Sequence, residues 1–225
     1  MMTNLFSIFD PLSSIMPIQL NWLSSLLLFI FTPLLYWLLP NRSLLLMIMI
    51  LKFLKNEMNN LLNNNSFKGI PLFFITIFFM ILFNNLLGLF PYIFTSSTHL
   101  LFNLSFSLPI WISLMFYGWL QKTQNMFIHL IPNGTPPILM PFMVLIETIS
   151  NIIRPGTLAV RLTANMIAGH LLVTLLSQNG MMIPSLFLMF LIVVEFLLLT
   201  LELMVSFIQS YVFTILSILY TSEIH

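Results

Sequence analysis

The stretch from Ser185 to Thr221 reads SLFLMFLIVVEFLLLTLELMVSFIQSYVFTILSILYT, without one Gly, Pro, Asn or Asp. As an α-helix rising 1.5 Å per residue it would be roughly 55 Å long. The hydrocarbon core of a bilayer is only ~30 Å thick. Two upright crossings would need a turn between them, and the stretch offers no turn residue. One continuous helix is expected instead, tilted by about 55° or more where ordinary spans average ~20°. The preceding apolar run, from Thr135 to Ser177, reads the same way, with a kink at Pro155-Gly156. The two long tilted helices are therefore placed at 136–177 and 184–221.

Working back toward the N-terminus, three shorter spans are expected at 20–39, 70–90 and 100–120. Trp22, Tyr36 and Trp37 lie near the ends of the first, as interfacial aromatics do. Between the first two spans, 42–66 holds Arg42, Lys52 and Lys55 around an apolar run too short to cross. It reads as a surface-lying amphipathic helix followed by the polar turn Asn63-Asn64-Asn65, with Lys68 just beyond. The fold class is an all-α membrane protein in a single domain, with about five membrane-embedded helices and one surface helix. Cations follow span one and span three, so the positive-inside rule puts those loops in the matrix or cytoplasm and the N-terminus across the membrane.

Composition agrees. Of 225 residues 59% are hydrophobic and only 6% charged, with mean hydropathy +1.04. So few charges cannot cover a soluble fold of this size. A net charge of +1 provides no basic field for nucleic acid. The absence of cysteine excludes disulfides, thiolate metal sites and cysteine nucleophiles. No nucleotide-binding glycine loop is present, paired histidines for a haem are lacking, and no cofactor or metal is expected. Met1 to Pro17 reads as neither signal nor transit peptide. With 23 Phe and 16 Met, the usage favours residues with A/T-rich codons and suits an organellar gene.

Ionisable residues inside apolar segments are expensive and are functional suspects. Here they are ordered. Glu147, Arg154 and Arg161 recur every seven residues, as do Glu195, Glu202 and Gln209. Seven residues are nearly two helical turns, so each set shares a face. Asn165 follows Arg161 on its face. His170 is half a turn off it and is expected to look toward the last helix. All three alanines, Ala159, Ala164 and Ala168, lie within seven residues of Arg161. Small residues let another helix approach closely, so the arginine face is shaped to meet a partner. Plainer readings stand beside these. Arg154 can be a helix-end residue paired with Glu147, His170 a packing histidine, Gln209 an interhelical hydrogen-bonding group. Glu57, Glu223 and the lysines read as solvated, His99 and His129 as loop residues. Guanidinium stays charged, so an arginine cannot relay protons but can repel them and attract a carboxylate. Carboxylates and imidazoles can relay. A fixed cation between two titratable clusters is the layout of a valve.

These residues carry a resemblance. Arg161-Leu-Thr-Ala-Asn165-Met-Ile-Ala-Gly169-His170, with Glu147-Thr-Ile-Ser and Ile-Arg154-Pro-Gly-Thr-Leu-Ala-Val before it, resembles the a subunit of F-type ATP synthases in its animal mitochondrial form. Asn85-Leu-Leu-Gly-Leu-Phe-Pro91 and Gln209-Ser-Tyr-Val-Phe213 are similar to that family too. The resemblance implies a proton-translocating subunit of the mitochondrial inner membrane, its C-terminus toward the matrix. It implies lipid, the rotating c-ring and other stator subunits as partners, and ATP chemistry carried out elsewhere in the complex. It makes Arg161 the essential arginine facing the c-ring, and His170 and Glu202 a proton-path pair. Gln209 becomes the arginine's polar neighbour and Glu147 a half-channel carboxylate, with Asn165 in the same motif. Glu195 stands where relatives often have an uncharged residue, and either extends the path or replaces a polar side chain. Gly88 stands where bacterial relatives place an acid. Arg154 and Asn85 are assigned structural or secondary roles. The alternative is a stand-alone ion channel or secondary transporter, which predicts internal repeats or broken helices in both halves.

Overall fold

A computed structural model describes residues 5–12, 19–33, 39–62, 69–131, 136–180 and 184–224. They form 3₁₀ turns at Leu5–Phe9, Leu20–Leu27 and Ser96–Thr98 and seven α-helices: α1 (Leu28–Phe31), α2 (Arg42–Leu61), α3 (Ile70–Gly88), α4 (Leu100–Gln121), α5 (Thr123–His129), α6 (Met140–Gly180) and α7 (Ser185–Ile224). No strand occurs among the described residues. Four helices, α3, α4, α6 and α7, are long and apolar enough to cross a membrane.

The long final helix is continuous over 40 residues and its predecessor over 41. Each is therefore about 60 Å long, which fits within hydrocarbon only at a steep tilt. α6 runs unbroken through Pro155, which has no N–H to give the carbonyl of Asn151. It starts at Met140, after Pro136 and Pro137, somewhat later than expected. α3 and α4 are helices over the stretches expected as the second and third spans. Within the described part of the expected first span, Leu20–Phe31 is helical. Pro33 disfavours the helical conformation at the residue before it, and Thr32 is extended. Residues 34–38 of that stretch, and the Asn63–Asn65 turn with Lys68, lie outside the described residues. The short α5 was not anticipated.

α3 is the hub. It is apolar nearly all round and buries more than half of its length, leaving Leu72 and Phe73 exposed on one side. Phe74, Phe78, Ile81 and Leu82 pack with Leu54 and Met58 of α2, Ile110 of α4, Leu158 and Leu162 of α6, and Phe213 and Ile218 of α7. α2 buries Leu54 and Met58 against this core and leaves Lys52 and Lys55 exposed. It is fastened to α7 by the Tyr211 hydroxyl, which donates to the Glu57 carboxylate at 2.5 Å.

The inner face of α7 carries Glu202, Ser206, Ser210, Thr214, Ser217 and Thr221, all buried. Spacings of three and four put them on one line. Every hydroxyl in the series donates to a carbonyl of its own helix: Ser206 to Leu203, Ser210 to Phe207, Thr214 to Tyr211, Ser217 to Thr214 and Thr221 to Ile218, at 2.6–3.0 Å. The seam is polar in composition yet internally satisfied, and its small side chains let the neighbouring helices approach closely.

Candidate functional site

α6 and α7 lie antiparallel. Gly169 sits against Glu202, Gly180 against Leu191, and Arg154 against Tyr220 and Glu223. Interpolating between these contacts puts Arg161 level with Gln209 and the turn after it. Along α6, Arg161 lies about 21 Å from Glu147 and about 14 Å from His170, at 1.5 Å per residue.

Arg161 is exposed on the outer face of α6, in line with exposed Thr157, Ala164, Ala168 and Leu172, while Leu158 and Leu162 behind it are buried. No hydrogen bond or ion pair from the described residues reaches it, although carboxylates stand on both sides along the same pair of helices. Asn165, one turn on, is half-buried, as is Gln209 on α7.

On one side of the arginine a cavity of about 960 Å³ is lined by His170, Glu195 and Glu202, with Val173, Thr174 and Leu199 beside them. Its far wall comes from Ile8, Asn21 and the 88–95 loop. His170 Nε2 and Glu202 Oε1 are both buried without a hydrogen-bond partner from the described residues. Glu202 lies against α6 because residue 169 is glycine. A Cβ there would overlap the Glu202 Oε1 and stand 2.9 Å from its Cδ. Gly88 lines the same cavity, and a Cβ there would meet Thr95 Cγ2 at 2.8 Å. A longer side chain has no room.

On the other side a cavity of about 520 Å³ is lined by Glu147, Asn151, Arg154, Tyr220 and Glu223, with Trp111 and Trp119 of α4 opposite. Arg154 bridges Glu223 at 2.9 Å and Glu147 at 3.4 Å, and its guanidinium stands 4.8 Å above the Tyr220 ring. The expected pairing of Arg154 with Glu147 is present, with a second carboxylate in addition. Asn85 is fully buried in α3 with neither amide atom hydrogen-bonded to a described residue, whereas Asn84 donates to the Met80 carbonyl at 2.9 Å.

The family model described as ATP synthase A chain matches residues 18–222 of this sequence. The chain belongs to that family. Over the full length of both chains it is 57% identical to ATP synthase subunit a of Drosophila yakuba, and 56% identical to those of Aedes aegypti and Drosophila melanogaster. In this ATP synthase A chain family member, the two heptad-spaced series of the sequence fall into separate places. His170, Glu195 and Glu202 come together, and Glu147 and Arg154 come together elsewhere. Arg161 stands between the two groups.

Glu223, expected to be solvated, and His99, expected to be a loop residue, both take part in the site. For Glu223 a signal existed, since the series 195, 202, 209 continues through Leu216 to 223. Gly169 was read as a small residue for helix approach, and the group it accommodates is the Glu202 carboxyl. Replacing Gly169 by alanine is expected to push that carboxyl aside, because the far end of a side chain moves more easily than backbone. Overpacking of this kind typically costs about 1–3 kcal/mol. The variant should assemble yet conduct protons more slowly, as measured by passive proton flux per assembled complex. An unchanged flux would show that the seating of Glu202 does not matter.

Proposed function

We propose that this chain is the proton-conducting stator subunit of the ATP synthase membrane sector, with Arg161 facing a rotating ring of carboxylate-bearing subunits. The observation that carries the reading is the arginine itself. It is exposed and unpaired among the described residues, midway along a membrane-embedded helix, on a face kept low by Ala164 and Ala168. A charge left uncompensated in hydrocarbon is costly, so the face requires an anionic partner.

The two cavities serve as half-channels. Protons enter at His170, Glu195 and Glu202, pass to a rotor carboxylate, and the neutralised site travels through lipid. On its return it meets Arg161, releases its proton toward Glu147 and Glu223, and pairs with the guanidinium. Gln209 and Asn165 supply polar contacts at the arginine's level. The Glu147 cavity is lined by Met126 and Leu130, close to Lys122 and hence to the positively charged loops. In this reading it opens to the matrix side of the mitochondrial inner membrane, which the nearby positive charge supports. The His170 cavity, lined near the N-terminus, opens to the intermembrane space. The chain binds no nucleotide in this reading and works in assembly with the other ATP synthase subunits.

Single cysteines at Ala164 and Ala168 test the partner. In the assembled complex they are expected to cross-link to cysteines beside the rotor carboxylate, in competition with rotation. Cross-links to lipid-phase reagents alone would remove the rotor from this face.

A further inference from the structure

We infer that His99 is a positioning residue for the His170–Glu202 cavity: it pins the Leu5–Phe9 turn in place as that cavity's outer wall. The inference rests on reading this cavity as the proton inlet.

A five-residue 3₁₀ turn has too few hydrogen bonds to hold its own position. Yet Ile8 lines the cavity, and the Phe9 ring stands edge-on to the His170 ring, 6.5 Å between centroids. Something must fix the turn there. His99 Nε2 lies 3.0 Å from the Phe9 carbonyl oxygen. A carbonyl only accepts, so the ring nitrogen is the donor. The imidazole packs against Trp22 and Phe94, each 5.2 Å away between centroids. Both neighbours belong to stretches that supply cavity lining, Asn21 to Ser24 on one side and Phe94 and Thr95 on the other. Asn21 adds a weaker tether, its amide donating to the Asp10 carbonyl at 3.3 Å.

The pin itself is rigidly based. His99 immediately precedes α4 and follows four buried residues, Thr95 to Thr98. Its N–H donates to the Ser96 carbonyl at 3.2 Å, and its own carbonyl accepts from Phe102 at 3.1 Å. One side chain thus joins the first turn, the Leu20–Leu27 helix and the 90s loop, and fixes the least self-supporting part of the wall to the most constrained.

The chain has no cysteine, so Thr174→Cys puts a single thiol of this subunit on the cavity lining. In the complete complex in lipid nanodiscs, its labelling by a water-soluble thiol reagent can be read on this subunit by mass. Adding His99→Leu is expected to raise the labelling rate several-fold. His99→Gln, whose amide N–H can donate to the same carbonyl, is expected to hold it near the parental rate. Ile8→Ala opens the wall without touching the pin and should also raise labelling, which decides the role of the turn if His99→Leu does not assemble. The inference is overturned if His99→Leu labels at the parental rate, or if His99→Gln behaves as His99→Leu. Glu202→Gln, measured in parallel for proton flux, separates the two readings. An unaffected flux there removes the inlet assignment, while the labelling rates still decide whether His99 holds the wall.

Discussion

Arg161→Ala is expected to reduce ATP-driven proton uptake by vesicles carrying the complex to background, with the complex still assembled. The structure gives the reason for both halves of that result. The guanidinium makes no hydrogen bond or ion pair with the described residues of its own chain, so its removal leaves no partner stranded inside the subunit. Leu158 and Leu162, which pack the opposite face of the same turns, are untouched. What disappears is the fixed charge between the two cavities. Under the proposed function, a returning rotor carboxylate then has no counter-ion to favour its ionised form, and protons meet no repulsion between the half-channels. Arginine is suited to the position because it does not deprotonate in proteins. Coupled pumping at the normal rate in the alanine variant would overturn the proposed function altogether. The amount of this subunit in the purified complex controls for assembly.

Glu202→Gln comes next in expected size. Glutamine keeps the shape that fits against Gly169 but cannot carry a proton. Passive proton flux should fall by about 10²-fold, the low end of what a positioned proton-transfer group contributes. The contrast with Gly169→Ala is informative. That change keeps the carboxyl and moves it, so a smaller loss is expected. Equal losses would mean that position matters as much as chemistry. An unchanged flux in Glu202→Gln would take this residue out of the path and leave His170 and Glu195 to explain the cavity.

Much of this arrangement was legible along the chain. The absence of any turn residue between Ser185 and Thr221 sufficed to predict one helix longer than a membrane is thick, and α7 is one helix. The half-turn offset between Arg161 and His170 correctly sent the histidine toward α7, where it shares a cavity with Glu202. Other features depend on how helices meet, which periodicity within one helix does not encode. Whether Glu195 joins His170 or Glu147 is decided by the register of α6 against α7. Glu223 looked solvated until that register brought it within 2.9 Å of Arg154. His99 looked like a loop residue because its partner, Phe9, lies 90 positions away in sequence.

The line of hydroxyls on α7 has a consequence beyond packing. It runs inside the subunit from the level of Glu202 to the level of Glu223, from one cavity toward the other. A file of serines and threonines there looks like a wire. Each of them, however, has its proton turned back onto a carbonyl of its own helix. To pass a proton along, every one would have to break that bond in turn with no solvent to replace it. If the two cavities are the half-channels of the proposed function, the seam acts as insulation between them and leaves proton current only the detour through the rotor.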